Sequence, residues 1–276
     1  MRTHSIISTA VLVVAALVTA CGGDSPSAPS TPTVTPQSVT VVSSSDRIFI
    51  GASETFTATA TMSDGSTRSV SGTWGTDAAG VATVDASSGR VTGMGSGMVT
   101  VFVDYQGRRG TKLIRGLPNY QGTWSGSYVV RSCSQTGIFT QVNACGDTLS
   151  VNRVLPTNLN LTQDADRVQG RFHLGTLGGD ATGPVQTDGR LAMSGVIQDS
   201  GLVNEVTWSL ESHSAGRITG GLSMLWRVSG FSGDARVSAD IRDLNRTSSI
   251  GAPALLTAPA GARTLEDLLR AIAVRK

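Results

Sequence analysis

Charge, lysine, histidine and long apolar runs are all scarce in this chain. Charged residues make up 15% of its 276 residues, and lysine occurs only at Lys112 and Lys276. A formal net charge of +2 is too small for a polyanion-binding surface, so nucleic acid is not an expected partner. A membrane-spanning helix needs roughly 20 apolar residues, and the run IISTAVLVVAALV at 6–18 stops at thirteen. His4, His173 and His213 are the only three histidines; His173 falls in a predicted strand and His213 in a turn, and none has the HxH or HxxxH spacing of a metal site. No GxSxG nucleophile elbow occurs. Asp164 and Asp166 could suggest calcium, but two carboxylates at a hairpin turn read more simply as turn residues. The expectation is a protein without catalytic residues, cofactor or metal. With 33 glycines against 9 prolines, the chain should be rich in tight turns rather than rod-like.

What is present starts at the N-terminus. Arg2 and the short apolar run make a signal-peptide core, and the run ends in VTAC at 18–21. This resembles the lipobox of bacterial lipoproteins. The resemblance implies cleavage after residue 20, acylation of Cys21, and a bacterial envelope location with the chain bound to the membrane through its lipid. Gly22 follows the cysteine where inner-membrane retention usually needs Asp, so the outer membrane is favoured if the cell has two. Residues 22–37, GGDSPSAPSTPTVTPQ, cannot bury a core and read as a tether.

From 38 to 117 the pattern alternates with period two. SVTVV at 38–42 and TFTATATM at 55–62 read as half-buried strands, with a turn at Asp64–Gly65. Then come GTWGTD at 72–77 and GVATVDASSGRVTGMGSGMVTVFV at 80–103. These stretches resemble the bacterial immunoglobulin-like domain of group 2, which implies a β-sandwich. Trp74 is expected to fill the space between sheets, and Gly89 suits a positive-φ turn position. GMGSG at 93–97 is not read as a phosphate loop, because no helix signal follows it.

Residues 118–247 contain further alternating segments joined by glycine turns, at 122–130, 159–174, 183–197 and 206–241. Their spacing predicts a sandwich or an up-and-down barrel. RVQG at 167–170, RLAMSG at 190–195 and RITGG at 217–221 repeat an Arg–apolar–Gly order, as expected of a meander of hairpins. GTW at 122–124 is similar to the opening strand of lipocalin-like barrels. That resemblance implies that Trp124 closes the barrel floor under a late arginine, Arg246 or Arg242. Trp124, Trp208 and Trp226 are candidates to line a ligand pocket, with core packing as the other reading. Cys133 and Cys145, 12 positions apart in an exported chain, are expected to form a structural disulfide.

At 248–263 the chain is rich in small residues and should run loosely, and TLEDLLRAIAVRK at 264–276 then takes helical period. Leu265, Leu268, Leu269 and Ile272 share one face, with Thr264 as the cap. A helix this short needs a surface to cover that face, and the preceding β-unit is the expected one, with a partner protein or a lipid surface as the alternatives. The predicted fold is therefore all-β: an immunoglobulin-like sandwich, an antiparallel barrel or sandwich, and a short C-terminal helix. The predicted function is that of a non-enzymatic envelope lipoprotein whose first unit is a stalk or adhesive module presenting the second, with a surface protein or glycan as possible partner. The alternative makes the second unit a lipocalin-like binder of a small apolar ligand. A hydrolase on an unfamiliar β-scaffold is the third reading, and it would need clustered carboxylates or His213 facing a deep cleft.

Overall fold

The computed structural model describes residues 33–199, 201–213, 216–247 and 265–274. The expected signal, Cys21, most of the tether, the 248–263 segment and Thr264 lie outside these residues. From Thr35 onward the described residues form one compact unit.

Ten strands make the first part. They are β1 (Pro36–Val42), β2 (Arg47–Phe49), β3 (Ser53–Thr55), β4 (Thr57–Met62), β5 (Thr67–Val70), β6 (Thr73–Thr76), β7 (Ala82–Val84), β8 (Arg90–Gly93), β9 (Gly97–Tyr105) and β10 (Arg108–Leu117). They form three small sheets in the orders β1-β4-β5, β2-β10-β9-β6 and β3-β8-β7. The alternation in β4 and β9 turns Ala58, Ala60 and Met62, and Val99, Val101 and Val103, onto one core. Trp74 is buried in that core, as expected. Gly89 has φ +69°, and a Cβ there would come within 2.8 Å of the Trp74 ring, so glycine serves both the turn and the aromatic. The sandwich starts at Pro36, two residues before the expected boundary, because Pro36 already pairs with Met62. A proline is tolerated at the first position of a strand.

The second part is a closed barrel of β11 (Gly122–Gln135), β12 (Val154–Asp164), β13 (Arg167–Leu174), β14 (Leu177–Pro184), β15 (Leu191–Asp199), β16 (Leu202–His213), β17 (Arg217–Val228) and β18 (Ala235–Arg246), each antiparallel to its neighbours. Closure leaves no sheet edge to protect. Inward positions carry Leu, Val, Ile and Met along every strand, and these side chains form one apolar cluster. Phe172 enters that interior beside two glycines. A Cβ at Gly179 or Gly195 would lie 2.9 or 2.7 Å from its ring, so both positions must stay bare. Phe172 in turn meets Trp208 edge to face, with ring centroids 4.5 Å apart.

Three readings need correction. β11 runs on to Gln135 rather than ending at 130, and it leads into a helical turn α1 (Ile138–Gln141) that no periodicity announced. β16 begins at Leu202 rather than at 206. His213 is the last residue of that strand and not a turn residue. The C-terminal helix α2 (Leu265–Ala273) is present, and its Leu268 and Ile272 are buried in the barrel's apolar cluster.

Candidate ligand-binding site

One end of the barrel is sealed by a stack. Trp124 is fully buried, and its indole N–H donates to the Tyr120 carbonyl at 2.8 Å. The Arg246 guanidinium lies 4.6 Å from the centre of the Trp124 ring and donates to the Asn119 carbonyl at 3.0 Å. Register puts the two residues directly opposite one another on β11 and β18. Of the two candidate arginines, Arg246 covers the tryptophan, whereas Arg242 is exposed on the outer wall. Tyr120 completes the floor. Its hydroxyl lies 2.8 Å from the Gly189 carbonyl and 2.9 Å from the Leu210 carbonyl, and burial pushes the phenol up to about 12.

The opposite end is covered by the connection from β11 to β12. Ile138, Phe139, Ala144 and Leu149 of this segment are buried in the same apolar cluster as the barrel interior. The cap is fastened in two places. Cys133 on β11 is bonded to Cys145, with Cα atoms 5.5 Å apart. Thr136 and Ile138 donate backbone N–H groups to Asp234 and Ser232 in the β17–β18 connection.

Between floor and cap the interior is apolar except for a small set of polar groups. The Tyr128 hydroxyl, both side-chain polar atoms of Asn204, and the indole N–H groups of Trp208 and Trp226 are buried and have no hydrogen-bond partner in the protein. Tyr128 and Asn204 are completely buried, and the two tryptophans are 3% and 1% exposed. Each unpaired group costs about 1–3 kcal/mol of desolvation, which makes four such residues in one barrel an anomaly to be explained. Asn204 and Trp226 are cross-strand partners. Trp208 lies on the same face of β16 as Asn204, flanked across the ladders by Met193 and Leu222. Tyr128 comes from β11, separated from β16 by β17 and β18. Burial holds its phenol well above the ordinary range, only partly countered by Arg153. Asn158 also has an unpaired buried oxygen, but it sits on the other face of β12 from Leu155, Leu159 and Leu161 and does not join this set.

The three tryptophans expected to line a pocket therefore divide. Trp208 and Trp226 line the interior, while Trp124 is satisfied and serves the floor. Outside that floor lies a cleft of about 480 Å³ bordered by Ile50 and Met94 of the sandwich and by Trp124, His213 and Arg246. His213 does face it, but its Nε2 is 2.7 Å from the Thr219 hydroxyl and the lining carries no carboxylate. His173 lies on the outer face of β13, its pKa lowered by burial and by Arg171. Asp166 pairs with Arg115 at 3.2 Å rather than clustering with Asp164. Among the described residues no group of three His, Cys, Asp or Glu side chains is placed to hold a metal.

Asn204 and Tyr128 were not among the sequence candidates, although both left a trace. In LVNEVTWSL at 202–210 the inward phase reads Leu, Asn, Val, Trp, Leu, so Asn204 is the polar member of an apolar series. Tyr128 is in phase with Trp124 through Gly126.

Residues 34–111 match the bacterial Ig-like domain, group 2. The Ig-like domain so defined spans β1 to β9 and enters β10. Among curated proteins none matches the chain by sequence. Of solved structures, the "REP1-NXSQ fatty acid transporter" aligns at 12% identity and a TM-score of 0.17, over 47% of this chain and 96% of its own. At that score the likeness carries no weight, and the barrel rests on its own strand pairing.

Proposed function

We propose that this chain is a lipid-anchored, non-enzymatic protein of the bacterial envelope, with the Ig-like domain as a stalk and the barrel as the holder of a small, largely apolar molecule. The observation that carries the reading is the set of unpaired polar side chains of Tyr128, Asn204, Trp208 and Trp226 inside an otherwise apolar barrel. A ligand end that bonds these groups offsets the desolvation cost they impose, and its apolar remainder matches the surrounding Leu, Val and Met. The floor and the disulfide-fastened cap fit a container, since both ends of the interior are covered. Cys21 supplies the anchor in this reading, and Gly22 favours the outer membrane.

Two measurements test it. In native mass spectrometry, the chain from Gly22 to Lys276, exported so that its disulfide forms, should carry a reproducible small-molecule adduct when isolated from its own host. A clean apo mass together with no binding of apolar probes would sink the container reading. Palmitate labelling of the full chain should vanish in Cys21→Ala, and label that persists in the variant refutes the anchor.

A further inference from the structure

Resting on that container reading, we infer that the barrel selects a ligand whose buried end is neutral and accepts hydrogen bonds, such as an ester, ketone or alcohol oxygen, and that it rejects a free carboxylate.

Donor chemistry comes first. An indole N–H can only donate, so Trp208 and Trp226 both call for an acceptor. The Tyr128 hydroxyl donates or accepts, and the Asn204 amide presents one of each kind. An acceptor oxygen beside the cross-strand pair Asn204 and Trp226 can take their N–H donors, and a ligand hydroxyl can give its own proton to the Asn204 oxygen.

Charge comes second. Buried polar residues among the described ones are Thr148, Thr157, Asn158 and Asn204, all uncharged. Of the barrel-strand arginines, Arg171, Arg227 and Arg236 are exposed on the outer wall and engage acidic neighbours there, and Arg246 is held over Trp124 at the floor. The cation that registers at Tyr128 is Arg153, at the cap, and its guanidinium already donates to the Asp147 carbonyl at 3.2 Å. A carboxylate in the interior would lie in a low dielectric without a paired cation, and such a group takes up a proton instead. The upward push on the Tyr128 phenol reports the same hostility to an anion.

The test is a ligand series of one chain length read by tryptophan fluorescence, using the chain from Gly22 to Lys276, which retains the whole compact unit. Methyl dodecanoate and dodecanol should bind about tenfold or more tighter than dodecanoate at about pH 8. The acid should gain affinity as the pH falls toward about 5, because its neutral form becomes available. Asn204→Leu and Trp226→Phe should each lower the preference for the ester over dodecane, read as the ratio of the two affinities in each variant. Dodecanoate binding as well as the ester at about pH 8, above all if Arg153→Gln abolishes it, would overturn the inference and leave the container standing. Dodecane binding as tightly as the ester in the unmodified chain would also overturn it, since the polar set would then be serving water. Failure of every ligand would remove the container itself.

Discussion

A buried hydroxyl without a partner is a cost that folding must carry, and Tyr128 carries one at the centre of the barrel wall. Replacing it by Phe keeps the ring and its packing against Leu155 and Ile241, its neighbours in register, and removes only the oxygen. The ligand-free Tyr128→Phe protein should therefore be more stable by about 1 kcal/mol, read as a higher urea midpoint with unchanged slope. The stabilisation that a bound ester confers should shrink in the same variant. Loss of stability on substitution would mean that the hydroxyl is bonded in the folded protein, and Tyr128 would leave the site. The two residues at the heart of this site were differently legible. Asn204 could be found from phase alone, as the polar residue at an inward position of β16, once the strand was started at Leu202. That its amide lacks a partner could not, because satisfaction depends on what β17 and the facing wall bring near it, and those residues lie far along the chain.

Among the elements, strands were readable and the cap was not. Period-two alternation and glycine turns mark the hairpins β12–β13 and β16–β17 and the strand β15, because a strand with one dry face must alternate, whereas β14, which reads LGGDATGP, falls between the alternating segments. The segment SQTGIFTQVNACGDTLSVN has neither period two nor period 3.6, since it is held by tertiary contacts: Ile138 and Phe139 reach into the barrel, and Thr136 is tied to the β17–β18 connection. The cysteines were its legible part. Their bridge closes a loop of 12 positions, which in the chain-entropy model is worth about 3 kcal/mol. The double variant Cys133→Ser, Cys145→Ser should lose about that much in urea unfolding, with faster hydrogen exchange over 138–149 than over β12 and β13. A uniform rise in exchange across the barrel would instead make the bridge a staple of the whole wall rather than of the cap.

For the whole molecule, the seating of the Ig-like domain on the barrel decides whether the two parts move as one. β10 ends at Leu117 and β11 begins at Gly122, and the four residues between them are not a free hinge. Leu117 and Tyr120 are buried in the barrel's apolar cluster. Gln163 accepts the Tyr120 N–H and donates to the carbonyls of Pro118 and Ala165. Arg115, its side chain only 18% exposed, reaches from β10 to Asp166 at 3.2 Å and to the Val185 carbonyl at 2.9 Å. The sandwich thus meets the barrel at its Trp124 floor, and the cap points away from it. Rigid seating also predicts one cooperative unfolding transition for both parts, since opening either one exposes Leu117 and breaks the Arg115 links. Arg115→Met keeps much of the side chain's volume and removes the two polar links, so it should cost about 1 kcal/mol given the partial exposure of the pair. It should also begin to separate the Trp74 fluorescence transition from that of the barrel. If the unmodified chain already unfolds in two steps, the two parts are strung rather than seated, and the Arg115 links do not couple them.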